Sequence, residues 1–383
     1  MPEPRAEERL HVLFFTASLG GGGAEKHLVR VANHLDRGRF RVSVAVARGG
    51  GSYESELAPD VAFHPLPGGR MARAPLALRR LVRRLRPDLV CSFMDHANCV
   101  ALASTAGLRG APPVVAGVQV SPAMEFLRDP DWRRRALLRA IRALYPRAAG
   151  VVAISRGVED EVARVVPRVA PRIRVIYNAG VDDEVMRLAA EPFEPPPGEG
   201  PVVLACGRLT EQKGFSTLLD AFALLRRTVP AARLWLVGEG ELRGELTAQA
   251  AALGIADAVW MPGFRANPYQ LMRAADVFAL SSLWEGFGNV IVEAMAVGTP
   301  VVATDCPHGP AEIIRDGKSG LLIPPSDAGA LAGALARVLG DGALAGRLRE
   351  AGRARANDFA APAIAAGYGR FFQAVAHGHL PAE

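Results

Sequence analysis

Apolar residues fall in short runs separated by helical stretches along almost the whole chain. Residues 11–15 (His-Val-Leu-Phe-Phe) read as a buried strand, followed by glycines at 20–23 and a helical pattern that runs to Leu35. Residues 41–47, with Val42, Val44 and Val46, predict the next strand, and 88–92, 114–117, 150–154 and 173–176 predict four more. The alternation restarts at 202–206 and continues through strands expected at 233–237, 259–261, 277–280, 300–303 and 320–323. Helices are expected near 215–227, 241–253, 267–274, 289–297, 309–315 and 327–339, with a last one over 361–376. Strands that alternate with helices predict parallel sheets covered on both faces. One stretch, 191–201 (Glu-Pro-Phe-Glu-Pro-Pro-Pro-Gly-Glu-Gly-Pro), breaks the pattern. Its Pro/Gly content marks a boundary.

The reading is an α/β protein with two doubly wound, Rossmann-like domains facing a cleft. The first spans 1–190, a Pro-rich linker 191–200 and the second domain 201–360. Residues 361–383 form a terminal helix and tail expected to pack back on the first domain. Ligands in such sheets bind beyond the carboxyl ends of the strands, so the cleft is the expected site.

Composition narrows the class. A length of 383 residues suits two domains, and 50% hydrophobic with 22% charged residues excludes collagen, coiled coil and wholesale disorder. No apolar run approaches the roughly 18 residues of a membrane span. The first nine residues carry acids and no apolar stretch, so a cytoplasmic protein is expected. Cys91, Cys99, Cys206 and Cys306 show no CxxC pairing, which argues against zinc and against a disulfide framework.

Charge changes the picture more. Residues 1–190 hold 29 Lys/Arg and 19 Asp/Glu, a net +10, and the remainder is −4. A basic front half favours an anionic partner. Residues 70–86 contain seven arginines and no acid, with Leu78, Leu81, Val82 and Leu85 on one helical stripe. Residues 132–147 repeat the arrangement, with Trp132, Leu137, Leu138, Ile141 and Tyr145 among Arg133, Arg134, Arg135, Arg139 and Arg142. Such helices either pack their stripe on a sheet or lie on an anionic membrane. Lysine is rare: Lys26, Lys213 and Lys318 stand against 42 arginines. A lysine in that background hints at a position where a compact ammonium is needed.

The most informative segment is 281–300, Ser-Ser-Leu-Trp-Glu-Gly-Phe-Gly-Asn-Val-Ile-Val-Glu-Ala-Met-Ala-Val-Gly-Thr-Pro. A strand leads into a Gly-x-Gly turn at Gly286 and Gly288 that opens a helix, and free amides there suit a diphosphate. Glu285 precedes the turn and Glu293 lies inside the helix. Carboxylates accept paired hydrogen bonds from vicinal sugar hydroxyls and repel phosphate. The counter-charge comes from Gly207-Arg-Leu-Thr-Glu-Gln-Lys-Gly214, where Arg208 and Lys213 can converge on a pyrophosphate. No Asp-x-Asp motif stands in a suitable loop, so no catalytic metal is expected.

These motifs resemble the large retaining glycosyltransferase family 4, of the GT-B fold. The resemblance rests on Glu285-x7-Glu293, Gly207-Arg208 with Lys213-Gly214, Tyr177-Asn178 before Gly180-Val-Asp182, and Gly22-Gly23-Ala-Glu25. It runs from about residue 11 to 340. Residues 92–98 and 305–312 resemble the branch that builds lipopolysaccharide core, capsule and lipid-linked glycans from UDP-sugars.

The resemblance implies a catalytic set of Glu285, His96, Arg208 and Lys213. Arg208 and Lys213 would hold the donor diphosphate, Glu293 the ribose and Glu285 the sugar. Backbone around Phe287, Gly288, Asn289 and Val290 would support phosphate and sugar, and Gly263, Phe264 and Arg265 would meet the base. Gly22 and Gly23 would approach the donor phosphate from the first domain, and His96 the transferred sugar. The implied partners are a nucleotide-sugar donor, a lipid-linked or glycan acceptor and an anionic membrane surface at the inner face of the cytoplasmic membrane. Neither a nucleic acid nor a metal cofactor is implied.

Other readings compete. Glu293 could be a solvated helix acid, Glu285 a helix cap, and Lys213 a surface loop residue. His96 serves equally as a satisfied histidine near a strand end. Gly238-x-Gly240 suggests a dinucleotide fingerprint, but Glu239 and Glu241 would face the pyrophosphate and the third glycine is off register, so it reads as a tight turn. An NAD-dependent oxidoreductase, and a sugar-nucleotide epimerase or phosphorylase of the same fold, are the alternative functions.

Overall fold

The computed structural model describes residues 9–20, 22–69, 71–120 and 131–378. Of the segments singled out above, Gly21, Arg70, and the residues before 9 and after 378 lie outside the described residues. The chain forms two compact units. The described residues up to Ala179, joined by those from Ala361 on, make the first, and Gly180–Ala360 makes the second.

The first unit opens with β1 (Leu10–Thr16), α1 (Gly23–His34), β2 (Phe40–Val46) and β3 (Ala62–Pro65). It continues with α2 (Ala74–Leu85), β4 (Leu89–Phe93), α3 (Asp95–Thr105), β5 (Val114–Val118), α4 (Trp132–Leu144), β6 (Gly150–Ala153), α5 (Arg156–Val165) and β7 (Ile173–Val175). The seven strands lie in the order β3-β2-β1-β4-β5-β6-β7, with every pairing parallel. In register, Val12–Phe15 of β1 face Leu89–Ser92 of β4. β1, β4, β5 and β6 are buried almost end to end, which is why their sequences read as continuous apolar runs. β3 was not legible in the sequence: it is a four-residue edge strand with no buried residue.

The second unit begins with α6 (Asp183–Ala189) and runs β8 (Val202–Cys206), α7 (Phe215–Arg226), β9 (Arg233–Val237), α8 (Arg243–Ala252), β10 (Val259–Trp260), α9 (Tyr269–Ala274), β11 (Val277–Leu280) and α10 (Asn289–Val297). It ends with β12 (Val301–Thr304), α11 (Pro310–Ile313), β13 (Leu321–Ile323), α12 (Ala328–Gly340) and α13 (Gly342–Ala356). Its strand order is β10-β9-β8-β11-β12-β13, again all parallel. Both sheets therefore reverse direction once, at β1/β4 and at β8/β11. Those reversals are the topological switch points where loops from neighbouring strands part and leave a crevice.

The chain passes between the units at 179/180 and returns at 360/361. Stretch 191–200 lies inside the second unit and is anchored there. Arg233 donates to the Pro196 carbonyl (3.0 Å), and Phe193 meets Trp235 edge-on at 5.5 Å. The last helix, α14 (Ala361–Ala376), belongs to the first unit: Tyr368, Phe371, Phe372 and Val375 are buried in the same cluster as Val12, Phe14, Leu28, Val31 and Phe40. Burying side chains of this size stabilises by about 1.5–3 kcal/mol each, which is what holds a helix so remote in sequence against the first sheet.

Candidate functional site

At the β8/β11 switch point the two predicted loops lie side by side. The loop after β8 ends in a short 3-10 turn, Glu211–Lys213, and Gly214 then adopts φ +58° before α7. A side chain there would be strained, and its Cβ would stand 2.2 Å from the Ser281 carbonyl oxygen. The Lys-Gly pair is thus a packing requirement: glycine lets the loop after β8 press on the end of β11. The backbones are stitched together by Leu283 N–H to the Gln212 carbonyl (2.8 Å) and Gln212 Nε2 to the Trp284 carbonyl (3.0 Å). Ser281 Oγ donates to the Lys213 carbonyl (2.8 Å).

This contact brings together two charges that are 72 residues apart. Lys213 Nζ donates to Glu285 Oε1 at 2.6 Å, with side-chain exposures of 15% and 7%. Ser282 Oγ donates to the same oxygen at 2.6 Å, and Thr304 fixes the Ser282 carbonyl (2.6 Å). An ammonium has three donors and a carboxylate two oxygens. Among the described residues, two Lys213 donors and Glu285 Oε2 therefore remain for a ligand. Glu285 also helps push the neighbouring Cys306 thiol up to about 12, although burial is the larger cause.

From Glu285 the chain turns through Gly286, buried Phe287 and Gly288 into α10. Gly288 is the cap, at φ +103°. Phe287 is anchored edge-on against Phe359 at 5.4 Å. At the far end of α10, Arg353 donates to the Val297 carbonyl (3.2 Å) and Arg349 to that of Gly298 (2.9 Å). These cations complement the negative end of the helix dipole, and the amino-terminal amides at Asn289 and Val290 make the positive end. Glu293, the fifth residue of α10, is buried and receives the Tyr269 hydroxyl at 3.4 Å. Its charge adds to the burial that raises the Cys206 thiol at the end of β8.

Arg208 lies two residues beyond the end of β8 and is exposed, with no side-chain ion pair among the described residues. Gly263 lies in the loop after β10, and its carbonyl accepts from Gly238 N–H (3.0 Å). Phe264 is 69% exposed, and the Arg265 guanidinium stands 5.6 Å from the Trp260 ring centre. Gly238 and Gly240 back onto the carbonyls of Gly207 and Leu209, so that turn is a packing element.

The remaining sequence-predicted residues belong to the first unit, around its β1/β4 switch point. Gly22 caps α1 and Gly23 opens it. His96 lies in the first turn of α3, half-buried, and burial lowers its pKa. Beside it a buried network was not foreseen. Asn98 donates to the Gly117 carbonyl and to Tyr145 Oη (both 2.9 Å) and accepts from Ser92 (2.7 Å), while Tyr145 donates to Asp95. On α1, His27 Nδ1 accepts from Ala179 N–H (2.9 Å) and Nε2 faces Tyr368 Oη (3.0 Å). Arg30 donates to the Ala179 carbonyl (3.1 Å). These two buried side chains hold the last residue before the chain leaves the unit. The amino-acid pattern gave no sign of it, because both partners are more than a hundred residues away. Ser282 and Tyr269, whose partners Glu285 and Glu293 are 3 and 24 residues away, were also missed, although a serine pair ending an all-apolar strand is itself a signal.

A switch-point crevice with a positive helix start, a paired ammonium and carboxylate, and a second buried acid suits an anionic, sugar-bearing ligand. Comparison with known proteins agrees. A model for glycosyl transferases group 1 matches residues 188–355, and one for glycosyltransferase family 4 matches residues 21–185. A lipopolysaccharide core biosynthesis glycosyltransferase, LpsE of Rhizobium meliloti, is 30% identical over 335 residues, covering 86% of this chain and 89% of that protein. A Campylobacter jejuni enzyme is 26% identical over 356 residues, 90% of this chain and 94% of its own. It is a 4-α-N-acetylgalactosaminyltransferase acting on a diphospho-undecaprenol-linked sugar. Anabaena HepE, solved with UDP and glucose, superposes with a TM-score of 0.79 at 26% identity over 96% of this chain and 100% of HepE.

The chain is thus a glycosyltransferase. It belongs to glycosyltransferase family 4 and has the GT-B fold, with two parallel-sheet Rossmann-like domains.

Proposed function

We propose that this glycosyltransferase takes a sugar from a UDP-sugar and transfers it, with retention of anomeric configuration and without a metal ion, to a lipid-linked or lipopolysaccharide glycan. The observation that carries the reading is the Lys213–Glu285 pair. It sets a cation suited to a diphosphate beside a carboxylate suited to sugar hydroxyls, each with bonding capacity left over.

The proposed roles combine that pair with those the family resemblance implies. As the donor bond breaks, charge grows on the leaving diphosphate. Lys213, Arg208 and the first amides of α10 stabilise it, and such fixed donors act more strongly on the transition state than on the bound substrate. Lys213 and Arg208 supply the positive charge that a metal supplies elsewhere. Glu285 Oε2 receives hydroxyls of the sugar, and Glu293, steadied by Tyr269, receives those of the ribose. An oxygen of the departing phosphate accepts the proton of the incoming hydroxyl on the same face, so positioning replaces a strong base. Gly263–Arg265 border the base.

UDP is favoured by the HepE complexes with UDP and with UDP-glucose. A glycan acceptor on lipid is favoured by the activities of the Rhizobium and Campylobacter relatives. The test is a thermal-shift panel of UDP, GDP and ADP, because a ligand that binds only the native state raises the melting point. Product NMR with the UDP-sugar that shifts most then reads the anomer. Stabilisation by UDP and an α-linked product from an α-linked donor are expected. Stabilisation by GDP or ADP alone, or an inverted product, would refute the proposal.

A further inference from the structure

Where β4 and β5 end, the buried polar side chains of the first unit are mostly committed to one another. Ser92, Asn98, Tyr145 and Asp95 form one network that also reaches the Gly117 carbonyl. Gln119, one residue beyond β5, stands apart. It is 5% exposed, and its Nε2 meets no hydrogen-bond partner among the described residues. A buried donor left unpaired costs its full desolvation, so an unbranched apolar side chain would serve the fold better here. The backbone sets this residue beside the loop after β4. Phe93 pairs in register with Gly117, and Met94 N–H donates to the Gly117 carbonyl (3.1 Å). Glycine permits that closeness, because a Cβ at 117 would stand 2.9 Å from the Ser92 carbonyl oxygen. Met94 takes φ +78°, a strained conformation for a side-chain-bearing residue and one that gathers at ligand sites. α3 starts from that turn, and the half-buried His96 ring in its first turn makes no hydrogen bond among the described residues. Two neighbouring strand ends thus present two uncommitted polar side chains, His96 and Gln119.

We propose that Gln119 is a specificity residue for the acceptor, its side-chain amide donating a hydrogen bond to a sugar hydroxyl of the incoming glycan. The place fits, because ligands of parallel sheets bind beyond the carboxyl ends of the strands. The chemistry fits as well. A neutral amide matches a hydroxyl, whereas a phosphate or carboxylate calls for a guanidinium, which this chain of 42 arginines does not place at 119. A buried donor that is paired only by the right substrate also discriminates strongly against analogues that lack the matching hydroxyl. The inference deepens the proposed function and rests on it in that the acceptor is a glycan.

Gln119→Met, which nearly conserves volume and removes the amide, tests it in the full chain. The donor is the nucleotide sugar that stabilises the wild type most. The acceptor probes are octyl glucoside, galactoside, mannoside and N-acetylglucosaminide. For the glycoside that the wild type uses best, kcat/KM of the variant should fall about ten- to a hundredfold, and its preference among the four should narrow. Its melting temperature should stay within about 4 °C of the wild type, and its calorimetric affinity for the nucleoside diphosphate of that donor should not change. Gln119→Glu, which keeps the shape and exchanges the donor for an acceptor, should lose at least as much transfer. Unchanged kcat/KM and preference in Gln119→Met would overturn the proposal. So would a larger fall in melting temperature, which would give the amide a partner in the fold, or a matching loss of nucleotide affinity. A wild type that binds its donor but glycosylates none of the four probes would overturn it too. If the stabilising donor carries GDP or ADP, the proposed function loses its UDP-sugar while Gln119 is still tested by the same assay.

Discussion

The two switch points share a strand order and differ in chemistry. At β8/β11 the polar side chains are charged, and Lys213 and Glu285 meet at 2.6 Å with donors and an acceptor to spare. At β1/β4 the buried polar groups face inward: Asn98 spends both its donors and its acceptor on Ser92, Gly117 and Tyr145, and His27 and Arg30 hold Ala179. Topology fixes where a crevice opens. Whether the crevice binds an anion depends on whether its side chains are left unsatisfied or consumed by the fold. On the proposed function, the first of these edges binds the donor while the second mainly stiffens the fold.

The largest test of that contrast is Lys213→Ala. Loss of a fixed electrostatic donor costs about 10²–10³ in turnover, and steady-state transfer rates should fall by that factor. Wild-type rates would place the diphosphate elsewhere.

The next effect belongs to the inward-facing edge. Burial, reinforced by the Arg30 charge, lowers the His27 pKa from 6.5 to about 3. The unfolded chain therefore binds a proton that the folded one refuses. Stability is complete above pH 6.5 and declines as pH falls toward 3, by about 1.4 kcal/mol per unit. Thermal or urea unfolding of His27→Gln should show a flatter dependence between pH 6.5 and 4.5 than the wild type. Parallel curves would remove His27 from the account.

Tyr145→Phe should cost about 1–3 kcal/mol in urea unfolding, because Asp95 and Asn98 lose a buried partner. UDP affinity should be unaffected, since this network is not at the anion edge. A drop in UDP affinity without loss of stability would erase the distinction between the edges. Smallest is Arg349→Ala, which removes a cation from the negative end of α10 and should destabilise by about 0.3–1 kcal/mol.

The anion edge was the more legible of the two, and the reason is physical. Gly207-Arg208, Lys213-Gly214 and Glu285 sit in loops beside strand ends and Glu293 in the second turn of the helix that follows, so local spacing announces them. Their direct ion pair did not follow from spacing; it needs the β8–β11 neighbour relation, which is long-range. The inward edge was almost silent. His27, Arg30 and Asn98 look like ordinary residues of α1 and α3 until the partners 6 to 341 positions away are in place. The edge strand β3 and the helix α13 escaped for a different reason. The first is too exposed to read as apolar, and the second, rich in Ala, Gly and Arg, has no sharp stripe.

The central claim is that the charged switch point of the second unit holds the donor's diphosphate. Calorimetric titration of UDP into the wild type and into Lys213→Met, with both proteins checked for cooperative melting, tests it most directly. UDP should bind the wild type and bind the variant at least about tenfold more weakly, the loss of one charge-assisted hydrogen bond. Equal affinity for the two proteins would contradict it.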